Sequence, residues 1–284
     1  MRIASLAAAL SLLPAAAAAQ EPARALFSAV AVPAAGPAQV HGSYAKGCIA
    51  GAVPLPASGP GWQTMRPGRN RAWGHPEAVA VIGRLGAAAL ALGWPGLLIG
   101  DVSQPRGGPM PFGHASHQIG LDIDVWLMRP GARPLSRAER EGLSAVNAVA
   151  PDRRRVSPAW TEDQARIVMA AAQDAAVARI FVNAAIKAEL CRWAPPGPRD
   201  WLGKVRPWWG HDHHFHVRLH CPADSPGCAA QEPPPPGDGC DAALDWWFSD
   251  EALHPPPPSR PPRPKPPLTL ADLPPACAAV LRAR

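Results

Sequence analysis

Seven of the ten histidines in this 284-residue chain fall in two short stretches, and these stretches constrain its fold more than any other feature. The first reads Gly113-His114-Ala-Ser-His117-Gln-Ile-Gly120-Leu-Asp122-Ile-Asp124-Val-Trp126. From Leu121 it alternates with the period of a β-strand. Leu121, Ile123 and Val125 face one way, and Asp122, Asp124 and Trp126 the other. The second reads Trp208-Trp-Gly-His211-Asp-His213-His214-Phe-His216-Val-Arg218-Leu219-His220. Here Phe215, Val217 and Leu219 oppose His214, His216 and Arg218. Two strands built this way must bury one face and present the other as an ionisable surface. Gly120 allows a bend that returns His117 towards the carboxylate face. Asp101, at the end of an earlier apolar run, is a further candidate whose approach the sequence does not fix.

Imidazole, carboxylate and imidazole make three protein ligands and leave one position open for water. That is the arrangement of a catalytic zinc site, in contrast to closed four-ligand structural sites. Ligands without thiolate also accept other divalent metals, and Zn2+ is the expectation. Of His214 and His216, which share a face, one serves as ligand and the other as an acid–base or hydrogen-bonding neighbour. His41, His75 and His254 lie outside the two stretches and read as ordinary surface or hydrogen-bonded histidines. No HExxH helix and no GxSxG elbow is present. Ser43-Tyr-Ala-Lys46 matches SxxK but has no KTG companion, which argues against a serine acyl-enzyme.

The N-terminus is expected to direct export. Met1 and Arg2 precede the apolar run Ile3 to Leu13, Pro14 breaks it, and Ala15 to Ala19 offer a small-residue cleavage site, so residues 1–19 read as a signal peptide. An anchoring helix there would be too short to span comfortably. No later segment reaches the roughly 18 apolar residues of a membrane span, so no stable membrane insertion is expected. Six cysteines in an exported chain suggest three disulfides, among 15 formal pairings. Cys221 and Cys228 are the easiest local pair, and the absence of CxxC argues against a zinc knuckle. The net charge of +6 would suit an anionic partner. Lysines and arginines are scattered, with Arg153-Arg154-Arg155 the only run, so an extracytoplasmic anionic polymer fits better than nucleic acid.

Pro76 opens a helix over 76–92, and Leu97 to Val102 reads as a buried strand. Thr161-Glu-Asp-Gln164 is a capping box for a helix to about Ala175. Ile180-Phe-Val reads as a strand, with Asn183 capping a short helix that ends near Cys191. The elements show no regular βαβ rhythm. An α+β fold is expected, with a central antiparallel sheet, flanking helices and the metal site on the sheet. One domain over 20–232 is followed by a proline-rich strap over 233–284, tied back through Cys240 and Cys277, with 255–267 mobile.

At the two histidine stretches the chain resembles the penicillin-insensitive murein endopeptidases. These belong to a superfamily with lysostaphin-type enzymes, D-Ala-D-Ala peptidases and the hedgehog signalling domain. The shared spacing is His117, six residues, Asp124, then the distant His214-Phe215-His216. The surrounding text adds Gly-His-Ala-Ser-His-Gln-x-Gly-Leu-Asp-x-Asp, Ile-Phe-Val-Asn-x-Ala-Ile-Lys and Lys-Val-Arg-Pro-Trp, and the likeness runs from about Gly42 to Gly239. It implies His117, Asp124 and His216 as metal ligands, His114 beside the metal, His214 as the catalytic neighbour and His211 as a second working histidine. It also implies Cys48–Cys277, Cys191–Cys240 and Cys221–Cys228 bridges. The implied reaction is hydrolysis of D-alanyl–diaminopimelate cross-links in periplasmic peptidoglycan, insensitive to β-lactams. The family's Asp-Gly-Lys-His stretch, an accessory metal contact, is replaced here by Asp152-Arg153-Arg154-Arg155, so that contact does not carry over. A D-alanyl carboxypeptidase with the same centre and a non-catalytic wall-binding module are the rival readings.

Overall fold

The computed structural model describes residues 21–257, 260 and 263–283. The expected signal segment therefore lies outside the described residues, as do 258–259 and 261–262 of the span expected to be mobile. The chain opens with helix α1 (Ala23–Ser28) and a hairpin of β1 (Gln39–Ser43) and β2 (Lys46–Ala50). Ser43 and Lys46 face each other across its turn, which places the SxxK match in a hairpin loop. Short strands β3 (Val53–Pro54), β4 (Ser58–Gly59), β5 (Trp62–Thr64) and β6 (Trp73–Gly74) follow. Next come helix α2 (Pro76–Ala91) and strands β7 (Leu97–Ile99) and β8 (Asp122–Trp126). Helices α3 (Arg137–Gly142) and α4 (Glu162–Gln173) lead to β9 (Val177–Val182), α5 (Ala184–Trp193), α6 (Asp200–Lys204), β10 (Val205–Pro207) and β11 (His214–Leu219).

The local signals act where they stand. Pro76 sits in the first turn of α2, and His75 caps that helix by accepting from Glu77 N at 3.2 Å, so its imidazole has a structural use. Thr161 and Gln164 form the capping box of α4, and the Asn183 side chain accepts from Ala185 N at 3.0 Å at the start of α5.

Seven strands form one sheet in the order β10-β9-β11-β8-β7-β5-β4. The four central strands pair antiparallel, as expected, but β10 with β9 and β5 with β7 pair parallel. The sheet is thus mixed. Its parallel pairs come from two βαβ units, β5-α2-β7 and β9-α5-α6-β10. The sequence hides them because β5 and β10 have only three residues each, too few to show a period. Ile123, Val125, Phe215 and Val217 are at most 1 % exposed and join Val81, Leu85 and Val168 of the helices in the main core. Burial of that face, by the hydrophobic effect, fixes which way the polar face points.

Beyond residue 233 the chain carries short helices α7 (Ala242–Asp245), α8 (Asp250–Leu253) and α9 (Ala276–Arg282). All three disulfides have the implied pairing: Cys48–Cys277, Cys191–Cys240 and Cys221–Cys228. The first lies in a small second core with Ala23, Phe27, Leu273 and Val280, which joins helix α1 to helix α9. Among the described residues no helix is long and apolar enough to cross a membrane.

Candidate metal centre and its surroundings

Strands β8 and β11 run side by side with His216 opposite Asp124, His214 opposite Trp126 and Arg218 opposite Asp122. The two ionisable faces are therefore one surface. His117 enters it from the loop before β8, where Gly120 takes φ +70° and has no room for a side chain against His75 N. His117 itself has φ +64°, a left-handed conformation that costs a non-glycine residue about 1–3 kcal/mol. Its own backbone N donates to Asp122 Oδ2 at 2.9 Å and holds it there.

Three atoms close a tight triangle. His117 Nε2 lies 3.1 Å from His216 Nδ1, and Asp124 Oδ1 lies 3.3 Å from each of them. Ligands at about 2.0–2.1 Å from a tetrahedral metal stand about 3.3–3.4 Å apart, so the triangle has the size of one face of such a polyhedron. All three residues are at most 5 % exposed. Asp124 Oδ1 is buried and has no aligned hydrogen-bond donor, although it is ringed by imidazole nitrogens. His117 Nδ1 is 2.8 Å from Val102 O, which places its proton there and leaves a lone pair on Nε2. A buried acceptor with no donor, facing imidazole lone pairs, fits a divalent cation.

His114 stands at the rim. Its Nε2 is 3.0 Å from Asp101 Oδ2 and 3.5 Å from Asp124 Oδ2, and with His117 and Asp124 it makes a second set of atoms close enough to hold an ion. Asp101, left open by the sequence, does reach the site. It also accepts from the buried Arg71 at 2.8 Å and from Arg69 at 3.2 Å. Burial would raise its carboxyl, but His114 and Arg71 bring it down to about 2. Burial likewise opposes ionisation of Asp124, and His117 and His214 outweigh it, holding that carboxyl well below its usual range.

Asp122 lies behind His216. It is fully buried, receives Arg218 Nε at 2.8 Å and Nη2 at 3.2 Å, and sits 3.0 Å from His216 Nε2. That last contact is close but not aligned as a hydrogen bond. Burial opposes the Asp122 charge, and His216 and Arg218 hold its carboxyl far below the usual range all the same. The same contact raises His216 against its burial. With these partners the lone pairs of Asp122 are committed, and it is a supporting carboxylate.

His214 is mostly buried, with Nε2 3.6 Å from Asp124 Oδ1. Burial outweighs the Asp124 charge and, with His213 and His216 adding to it, brings His214 down to about 4. The His211 ring packs 5.0 Å from His214 in a left-handed backbone position, φ +53°. Burial, then His214 and His216, lower it to about 4 as well. His211 Nδ1 is 2.9 Å from Trp209 O. A cavity of about 270 Å³ opens in front of these groups, lined by Arg66, Arg69, Asp101, His114, Asp124, Trp126, His213 and His214. Every site residue expected from the sequence is gathered within this region. Arg66, Arg69 and Arg71 were not legible, since no local pattern ties the loop after β5 to the histidine strands.

Comparison with known proteins adds a family. The sequence model described as penicillin-insensitive murein endopeptidase matches residues 40–282. A curated protein of that name from Yersinia enterocolitica is 45 % identical over 250 residues, covering 88 % of this chain and 87 % of its own length. Proteins of the same name from Klebsiella pneumoniae and Salmonella newport are 46 % and 47 % identical, each covering 88 % of both chains.

Proposed function

Since the chain belongs to the penicillin-insensitive murein endopeptidase family, we propose that it is a zinc peptidase of the periplasm that cleaves D-alanyl–diaminopimelate cross-links in peptidoglycan. Residues 1–19 serve as the export signal in this reading, 20–232 carry the chemistry and 233–284 form the strap. The observation that carries the metal dependence is the Asp124 Oδ1 atom, buried without a hydrogen-bond donor beside His117 Nε2 and His216 Nδ1.

His117, Asp124 and His216 would hold the ion, with His114 at its rim. Zinc there supplies Lewis acidity for the scissile carbonyl and lowers the pKa of water towards neutrality. His214, neutral above about pH 4, accepts the proton released as water attacks and delivers it to the leaving amine. His211, also neutral and with its Nδ1 proton given to Trp209 O, presents Nε2 as an acceptor beside His214 and assists the proton transfer there. Asp122 keeps His216 turned with Nδ1 inward, while Arg218 and the His117 backbone keep Asp122 charged. Insensitivity to β-lactams follows from a route with no acyl-serine, and the SxxK serine, Ser43, sits in the β1–β2 turn.

The test is digestion of isolated peptidoglycan with and without a chelator, with products read by mass. Cross-linked dimers should convert to monomers only with metal present, and addition of zinc should restore conversion. Full cleavage by metal-stripped protein would overturn the reading.

A further inference from the structure

The cavity in front of the candidate metal centre holds a cation that the proposed chemistry does not use. Arg66 follows β5 in a left-handed conformation, φ +55°. Three backbone bonds fix it there: Met65 N to Ile99 O at 2.7 Å, Arg66 N to Arg140 O at 3.0 Å and Arg69 N to Arg66 O at 3.0 Å. Of the five non-glycine residues with positive φ among the described residues, three are Arg66, His117 and His211, all at this site. Strain of that kind persists where the surroundings over-determine it, and it gathers at functional positions.

The Arg66 guanidinium lies over Trp126, 5.7 Å from the ring centroid, and donates from Nη1 to Glu141 O. Among the described residues it has no carboxylate partner. The nearby Glu141 carboxylate is turned to Gly68 N at 2.7 Å. The other anions of the cavity are committed. Asp101 takes Arg69, Arg71 and His114, and Asp124 faces the imidazoles. Arg66 is thus a half-buried fork of donors, aimed at a substrate-sized space, with its charge uncompensated. Such a group binds a planar anion in two-point fashion.

Resting on the endopeptidase reading above, we propose that Arg66 is a carboxylate-binding subsite for the amine-side residue of the scissile bond. In a diaminopimelate cross-link the scissile nitrogen is borne by a carbon that also carries a free carboxylate. Trp126 lies two residues beyond Asp124 on the same face of β8, about 7 Å along the strand. The guanidinium held over Trp126 lines the same cavity as Asp124 and His214, so this subsite and the candidate metal centre share one substrate space. The substrate class selected is a cross-linked peptide with an unmodified carboxylate next to the cleaved amide, in preference to its carboxamide.

The experiment uses the zinc-loaded full chain and two muropeptide dimers, identical except that this carboxylate is free in one and amidated in the other. Wild type should favour the free acid by roughly 10- to 100-fold in kcat/KM, the worth of one charge-assisted pair. Arg66→Gln should lose that factor, mainly through KM, on the free acid and no more than about threefold on the amide; Arg66→Lys should keep part of the preference. Zinc content and far-UV circular dichroism report that each variant is folded. Equal cleavage of both dimers by wild type, or an equal loss on both in Arg66→Gln and Arg66→Lys, overturns the subsite and leaves the endopeptidase reading standing. Cleavage of neither dimer by wild type overturns that reading and the subsite with it.

Discussion

Replacing Asp122 by Asn is the most searching perturbation of the candidate centre, because Asp122 is fully buried behind the ligands and contacts two of them, His117 and His216. The carboxylate is wholly buried and serves His117 N, two Arg218 donors and the His216 ring. Asparagine keeps the volume and one acceptor but removes the charge, so Arg218, 8 % exposed, becomes a buried cation without its counter-ion. Breaking a buried pair in this way costs about 3–5 kcal/mol. Loss of the carboxylate behind His216 should also weaken metal affinity 10- to 100-fold, or about 1.4–2.7 kcal/mol. Urea denaturation of the metal-free protein isolates the first effect, and competition with a chromophoric chelator isolates the second. The sign of the pH dependence is fixed. Asp122 has a folded-state pKa depressed from 3.8, so its stabilisation is complete above about pH 4 and is lost as pH falls below that value. The gap between wild type and Asp122→Asn should therefore narrow in acid. Wild-type zinc affinity within threefold, together with unchanged urea stability at pH 7, would refute the supporting role.

Three further outcomes are expected. His214→Gln should lower kcat by about 10²–10⁴-fold at unchanged zinc content, measured by muropeptide turnover and metal analysis, since only a proton carrier is removed. Lys187, fully buried with Nζ donating to Leu202 O at 2.8 Å and Asp238 O at 2.5 Å, is lowered from 10.5 to about 7, first by burial and then by Arg206. The unfolded chain then binds the extra proton above pH 7, so wild-type stability should rise between pH 7 and 9 by up to about 1.4 kcal/mol per unit, and Lys187→Met should abolish that rise in urea titrations. Removing Cys48–Cys277, with a sequence separation of 229, should cost about 5 kcal/mol, against about 2.5 kcal/mol for Cys221–Cys228 with a separation of 7; calorimetry of the two double-alanine variants compares them.

What could be read in the sequence was whatever is decided within a few residues. Alternation over Leu121–Trp126 and Phe215–Leu219 set the faces of β8 and β11, and Pro76, Thr161 and Asn183 set three helix starts, because each effect is local. The parallel pairings escaped, since β5 and β10 are too short to show a period and their place is set by crossover helices, α2 after β5 and α5 and α6 before β10. Asp101 is marked in the sequence only by its place after an apolar run, and nothing there marks Arg66, Arg69 or Arg71. Their arrival at the site depends on β5 lying beside β7, a pairing between distant segments that no residue pattern in the loop 65–71 encodes.

The left-handed His117 shows how such distant pairings become chemistry. A relaxed loop would not hold the imidazole against β8, and the strained one costs about 1–3 kcal/mol. The bond from His117 N to Asp122 opposes that cost, because a hydrogen bond to a charged acceptor contributes about 1.5–3 kcal/mol. Asp122 can act so only while it is ionised in full burial, and this depends on Arg218 from the neighbouring strand. Arg218 lies opposite Asp122 only in the register that also sets His216 opposite Asp124. One strand register therefore fixes two of the three ligand positions directly and the third through a buried carboxylate. A slip of one residue would turn His216 and Arg218 to the apolar face and remove all three together.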